Sequence, residues 1–159
     1  MKRARIMAAA VLMAIAAAVS AQTAPNFAGT WTLVADPAGP AAGSRGAPSP
    51  TLTIVQDAKT LTLTRTTPMG EFTNIYNLDG SESKNTLNFN GNSIDQVSKT
   101  KWDGGKLIVN TTMSFENTPV EFSMVISHDA DGTLGLESTR PDFQGGGGPI
   151  TTKATYKKN

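Results

Sequence analysis

The strongest constraint on this fold is a two-residue alternation of apolar and polar side chains that recurs through most of the chain. Leu61 and Leu63 alternate with threonines, and similar alternation runs through residues 107–115 and 120–128. Gly, Asp, Asn or Pro interrupts these runs at spacings of roughly 8 to 12 residues, and a helical period is absent after the first 21 residues. This pattern predicts an all-β antiparallel meander with one apolar face.

The alternating runs predict about ten strands. Their approximate bounds are Ala28–Asp36, Thr51–Asp57, Thr60–Thr66, Glu71–Leu78, Ser83–Asn90, Ile94–Trp102, Lys106–Phe115, Pro119–His128, Thr133–Arg140 and Ile150–Lys157. An open sheet of this size would leave two exposed edges, and closure into a barrel removes them. We therefore predict a single up-and-down barrel. A two-layer β-sandwich is the alternative, because it also buries one face of each strand.

The N-terminus has the features of an export signal. Basic side chains precede an apolar run over residues 6–19, and residues 19–21 form a small-residue cleavage site. We expect a signal peptide over residues 1–21, cleavage near Ala21, and one domain over residues 22–159 in the periplasm or outside the cell. The apolar run is marginal for a bilayer span and no later one matches it, so no membrane span is expected.

Composition excludes several classes of site. The chain has no cysteine, so disulfides and thiolate metal sites are excluded, and its lone histidine, His128, excludes zinc sites that need two imidazoles. Loss of Lys2, Arg3 and Arg5 with the signal changes the formal net charge from +1 to −2. A weakly acidic surface without a basic run gives no indication of nucleic-acid binding. We expect no cofactor, no metal and a monomer.

The connections of a meander alternate between its two ends, so the turns can be sorted by end. One end has short turns with Asp-Gly chemistry at residues 57–59, 78–81, 102–105 and 129–132. The other end has turns near residues 68–70, 90–92 and 116–118 and both long loops, Pro37–Pro50 and Pro141–Pro149. Long irregular loops are either functional lids or disordered, and both alternatives stay open. The first end is expected to be closed and the second open.

The first predicted strand resembles that of the calycin superfamily, which contains the lipocalins and fatty-acid-binding proteins. Phe27-Ala28-Gly29-Thr30-Trp31 is similar to the Gly-x-Trp signature of those barrels, and Ala154-Thr155-Tyr156-Lys157 is similar to their final strand. The chain also resembles small exported bacterial proteins of unknown function that start with Gly-Thr-Trp and contain Trp-Asp-Gly-Gly-Lys, here Trp102–Lys106. The calycin resemblance implies a tryptophan packed at the closed end against a basic residue of the last strand, which by position is Lys157. The residues expected at the closed end are Gly29, Trp31, Trp102, Tyr156 and Lys157.

The chain departs from both calycin groups. It has no disulfide, no evident C-terminal helix of the lipocalin kind, and a Pro/Gly loop in place of the helical pair of fatty-acid-binding proteins. The resemblance therefore bears on the fold more than on the ligand.

The expected mouth of the barrel combines aromatic and basic residues. The candidate ligand-binding residues are Arg140, Arg65, Phe72, Phe115, Phe89, Phe143 and Met69. Arg140 has the parity of Leu134 and Leu136 and should point inward, where a guanidinium suits an acidic ligand head. An ion pair between Arg140 and a rim carboxylate is the alternative, and the phenylalanines could be plain core.

Three functions remain open. The first is an exported module that binds an apolar or amphipathic small molecule in the barrel cup, and the second is a filled barrel that binds a partner protein. The third is a hydrolase that uses two carboxylates among Glu71, Glu116 and Glu121. No nucleophile signature surrounds His128, which is interpreted as a turn residue, so we predict no catalytic residues and a non-enzymatic protein.

Overall fold

The computed structural model describes residues 24–34, 47–68, 70–89, 91–115, 118–143 and 147–159. The predicted signal peptide over residues 1–21 and most of the Pro37–Pro50 loop lie outside the described residues. No helix in the described ranges is long and apolar enough to cross a membrane.

The described chain forms ten antiparallel strands, as the alternation predicts. They are β1 (Gly29–Leu33), β2 (Thr51–Gln56), β3 (Thr60–Thr67), β4 (Gly70–Asn77), β5 (Ser83–Phe89), β6 (Asn92–Asp103), β7 (Lys106–Phe115), β8 (Thr118–His128), β9 (Leu134–Arg140) and β10 (Ile150–Lys158). The largest difference from the predicted bounds is in β1, which ends at Leu33 instead of Asp36. Only five residues of β1 are paired as strand, with β2 on one side and β10 on the other.

The first and last strands pair with each other, so the sheet curls into a barrel. β1 and β10 are antiparallel neighbours, with Trp31 opposite Lys158 and Leu33 opposite Tyr156. The hydrogen-bonded order is β4-β3-β2-β1-β10-β9-β8-β7-β6-β5. Apart from β1 and β10, all neighbouring strands in this order are consecutive in sequence. The up-and-down barrel is therefore confirmed, and the sandwich alternative is wrong.

A seam remains between β4 and β5, the two ends of this order. Side chains bridge it in place of a backbone ladder. The Asn85 amide accepts from Ile75 N at 2.8 Å and donates to Ile75 O at 2.9 Å. Ser83 Oγ accepts from Asn77 N at 2.7 Å, and Asn77 Nδ2 donates to Glu82 O at 2.9 Å. The barrel is thus nearly closed, and side-chain hydrogen bonds connect β4 to β5.

The short turns of the closed end are stabilised by their own aspartates. The backbone N–H groups of Lys59, Ser81 and Thr133 donate to the carboxylates of Asp57, Asp79 and Asp131 at 2.7, 2.9 and 3.0 Å. The hydrogen bond from Lys59 N holds the pKa of the Asp57 carboxyl below its usual range. Such Asx turns explain why these connections stay tight.

The hydrophobic core fills the half of the barrel next to the closed end. Its buried members are Phe27, Trp31, Leu52, Ile54, Leu61, Leu63, Tyr76, Leu107, Val109, Met124, Ile126, Leu134, Leu136 and Tyr156. The outer faces of the strands carry threonines and charged residues, as the alternation requires. The interior beyond this core, toward the open end, is available for a site.

Candidate functional site

The closed end is sealed by the segment that precedes β1. Phe27 is fully buried, and its ring lies 6.0 Å from the Trp102 ring and 5.0 Å from the His128 ring, centroid to centroid. Trp31 Nε1 donates to Phe27 O at 2.9 Å. This aromatic plug (Phe27, Trp31, Trp102 and His128) closes the end of the barrel, and Phe27 and Trp31 also belong to the core.

Hydrogen bonds attach the same segment to the strands. Phe27 N donates to Gln56 Oε1, Gln56 Nε2 donates to Pro25 O, both at 2.9 Å, and His128 Nε2 lies 3.1 Å from Asn26 O. His128 thus contributes packing and a backbone contact at the end of β8. The described residues contain no group of three or more His, Cys, Asp or Glu side chains suited to a metal ion.

The basic partner of Trp31 is Lys158, so the expectation of Lys157 is wrong. Lys158 Nζ lies 5.5 Å from the centre of the Trp31 ring, and the two residues face each other across β10 and β1. Lys157 is opposite Thr32. Adjacent residues of a strand point to opposite faces, so a shift of one residue moves the ammonium from outside the barrel to its end.

Two other residues expected at this end have defined surroundings. Gly29 has a φ of 146°, and a Cβ there would lie 2.6 Å from Lys158 Cε, so glycine lets the lysine cross the barrel end. Tyr156 is fully buried, and its hydroxyl donates to Ser49 O at 3.0 Å. Burial raises the pKa of Tyr156 to about 12.

Between the core and the open end lies a cavity of about 460 Å³. Its apolar lining consists of Phe72, Tyr76, Leu87, Ile94, Met113, Phe122 and Met124. Its polar lining consists of Arg65, Asn74, Gln96, Thr111, Ser123, Ser138, Thr139 and Arg140. The volume is within the range of small-molecule sites, and the barrel interior is not completely filled by side chains.

Two half-buried arginines give this cavity its charge. Arg65 donates from Nη1 to Asn74 Oδ1 at 3.2 Å and from Nη2 to Met124 Sδ at 3.1 Å. Asn74 Nδ2 in turn donates to Gln96 Oε1 at 2.8 Å. A neutral network therefore holds the Arg65 guanidinium in place without neutralising it.

The described residues that line the cavity include no carboxylate. Within the described ranges the ion pairs are Lys99–Glu82 and Lys153–Glu137, both on the outer surface. The alternative in which Arg140 pairs with a rim carboxylate is therefore not realised by the described residues. The cavity presents positive charge at its polar side and hydrocarbon at its other walls.

The structure brings together three of the predicted ligand-binding residues. Arg65, Phe72 and Arg140 line the cavity. Phe143 is 55% exposed and does not line it, but its ring lies 6.3 Å from that of Phe122, which does. Met69 and the side chains of Phe89 and Phe115 lie outside the described part of the chain.

Two of the three carboxylates considered for hydrolysis, Glu71 and Glu121, are described, and both are exposed. Glu71 is exposed on the outer face of β4, where its Oε1 accepts from Thr66 Oγ1 at 3.4 Å. Glu121 is exposed opposite Thr112, and Glu116 lies outside the described residues. Neither described carboxylate lines the cavity.

Several cavity residues are not among the ligand-binding residues predicted from the sequence. Asn74 and Gln96 are buried inside the barrel, although their polarity is typical of an outer face. Their parity was the available signal, because Asn74 alternates in step with Phe72 and Tyr76 and Gln96 alternates in step with Ile94.

Comparisons with known proteins support the fold alone. No protein-family model matches the chain, and no curated protein matches it. A solved structure of the zebrafish ileal bile acid-binding protein complexed with cholic acid is similar, with a TM-score of 0.56 and 22% sequence identity. The match covers 84% of this chain and 98% of that chain. The chain therefore has the ten-stranded barrel fold of the fatty-acid-binding-protein type, with a cavity between its core and its open end.

Proposed function

We propose that this chain is a binding module that holds a small amphipathic molecule with an acidic head in the barrel cavity. The observation that carries the proposal is the cavity lining, which is largely apolar and, over the part of the chain that the structure describes, contains two arginines and no carboxylate. The structural neighbour solved with cholic acid, an amphipathic acid, supports the same class of ligand.

The ligand's apolar part would contact the hydrocarbon walls. Phe72, Leu87, Ile94, Met113 and Phe122 lie beside one another there. Burial of apolar surface contributes about 25 cal/mol per Å², so these walls would supply most of the affinity without strong selectivity.

The ligand's acidic head would pair with the arginines. The Arg65 guanidinium is already oriented by Asn74 and Met124, so less rotamer freedom remains to be lost when an anion binds. Arg140 is the last residue of β9 and lies at the mouth, where it can approach the head from the open end. A hydrogen bond to a charged group contributes about 1.5–3 kcal/mol, which corresponds to about 10-fold to 100-fold in affinity.

Isothermal titration calorimetry with two probes of equal chain length tests this proposal. Dodecanoate carries an anionic head and dodecyltrimethylammonium a cationic head. We expect the protein to bind dodecanoate more tightly than the cationic probe. Arg140→Gln should lower the affinity for dodecanoate by about 10-fold or more. The variant should not weaken binding of the cationic probe.

Lys101→Gln is the matched control, because it also removes one positive charge but lies exposed on the outer face of β6. It should change dodecanoate binding by less than about twofold, since exposed charges are screened by salt. Absence of dodecanoate binding to the unmodified protein, or equal losses in the two variants, would contradict the proposed site.

We further propose that the chain acts after export. The basic and apolar pattern of residues 1–21 supports this, and the closed end is built from Pro25 onward, just after the expected cleavage site. N-terminal sequencing of protein recovered from its native compartment should begin near Gln22. A mature protein that retains residues 1–21 would contradict export by this signal.

A further inference from the structure

The pairing of β8 with β9 ends before β8 itself does, near the open end of the barrel. The last ladder pair of these strands is Ser123 with Thr139. β8 continues beyond this pair and stays paired with β7 as far as Thr118. β9 ends one residue later, at Arg140, and Pro141 has no N–H with which to extend the ladder. β8 therefore extends past the end of β9, and we call this point, where β9 ends and β8 continues, the β8–β9 fork.

A groove of about 670 Å³ lies on the outer side of this fork. It is lined by Asn110, Thr111, Thr112, Glu121, Phe122, Ser123, Thr139, Arg140, Pro141, Asp142, Gly147, Gly148 and Pro149. Five of these residues, namely Thr111, Phe122, Ser123, Thr139 and Arg140, also line the inner cavity. The cavity and the groove thus share one wall, and Arg140 stands at their junction.

We propose that the groove is a subsite for the polar head of an elongated amphiphile, reached from the cavity through the β8–β9 fork. This inference rests on the proposed function, because the apolar part of the ligand occupies the cavity. The ligand's acidic group lies at Arg140, and a neutral hydroxylated head extends beyond it into the groove.

The groove's chemistry selects the head. Asn110, Thr112, Ser123 and Thr139 supply an amide and three hydroxyls, which both donate and accept hydrogen bonds. The exposed Glu121 carboxylate accepts from a hydroxyl and repels a second anion. A polyol or sugar attached to the acid satisfies these groups, whereas a second acidic group does not.

A matched pair of probes isolates the head. Lauroyl lysophosphatidylglycerol and lauroyl lysophosphatidylmethanol share the chain and a singly charged phosphodiester, and the first carries a terminal glycerol where the second carries a methyl group. Titrations below their micelle-forming concentrations should show that the glycerol increases affinity for the unmodified protein by about fivefold or more.

The variant Asn110→Leu/Thr112→Val removes two polar groups that line the groove but not the cavity. It should reduce the gain from the glycerol to about twofold or less and leave lysophosphatidylmethanol binding within about twofold. The control Thr86→Val/Asn88→Leu changes the same residue types at exposed positions of β5, which line neither site, and should retain the gain.

The outcomes separate this inference from the proposed function. Binding of lysophosphatidylmethanol without a gain from the glycerol, or an equal loss of the gain in both variants, would overturn the groove subsite and leave the cavity site standing. Absence of binding by either probe would overturn both. A larger gain from lysophosphatidylethanolamine would overturn the neutral head in favour of a cationic one.

Discussion

Replacement of Phe27 by alanine should cost this barrel a large part of its stability. Phe27 precedes β1 in a terminal segment, where residues are usually poorly ordered unless they are tied down. Its side chain is nevertheless fully buried and packs against Trp102 and His128. Phe27→Ala keeps the backbone bonds to Gln56 and Trp31 and removes only the ring.

The expected loss can be estimated from the burial. A buried Phe→Ala change costs about 3–5 kcal/mol, because it combines lost transfer free energy with the cavity left behind. Domains are stable by about 5–15 kcal/mol, so the variant should still fold but should unfold at a lower urea concentration than the parent. With a urea m-value of about 2 kcal/mol/M, the midpoint should fall by about 1.5–2.5 M.

Urea unfolding followed by tryptophan fluorescence measures this shift, since both tryptophans belong to the plug. The urea midpoint of Phe27→Leu should lie between those of the parent and Phe27→Ala, because leucine fills most of the volume of the phenylalanine ring. Val55→Ala is the control, since Val55 is 64% exposed and its change should stay within about 0.5 kcal/mol. A midpoint for Phe27→Ala as high as that of Val55→Ala would refute a structural plug at the closed end.

Three further predictions concern the closed end, the seam and the core. Lys158→Gln should lower the free energy of unfolding by about 0.5–1 kcal/mol through loss of the contact with Trp31, whereas Lys157→Gln should have no comparable effect in the same urea assay. Asn85→Ala should remove both bonds to Ile75 and speed amide hydrogen exchange at Ile75 by about 10-fold or more, with little change in β7. The pKa of Tyr156 is raised from 10.0 to about 12 in the folded state. The neutral buried hydroxyl therefore stabilises the folded protein fully below pH 10, and this contribution is lost as the pH rises through 12. Relative to Tyr156→Phe, the parent should lose up to about 1.4 kcal/mol per pH unit over that window, and parallel stability profiles for the two proteins would contradict the buried hydroxyl.

The barrel itself could be predicted because its causes are local. Alternation fixes which face of each strand is buried, and Asp-Gly turns fix where the chain reverses. Sorting the turns by end then predicts Arg65, Phe72 and Arg140 together at the open end, without knowledge of the pairing, and all three line the cavity. The same reasoning could not distinguish Lys157 from Lys158, because that choice depends on the register between β1 and β10.

The remaining features depend on contacts between distant segments. Phe27 and His128 meet only because the N-terminal segment crosses the barrel end, a distance of 101 positions along the chain. The parity of Asn74 and Gln96 indicates the inward face, but the hydrogen bonds that allow their burial join them to each other and to Arg65 across different strands. The seam beside β4 and the fork beside β9 depend on how far neighbouring strands stay paired. That extent is a property of the closed sheet.

A crystal structure of the protein bound to dodecanoate is the decisive test of the cavity site. We expect an alkyl chain that lies against Leu87, Ile94 and Met113, with a carboxylate within hydrogen-bonding distance of Arg65 or Arg140. A cavity that remains empty at saturating dodecanoate, or a carboxylate directed away from both guanidinium groups, would contradict it.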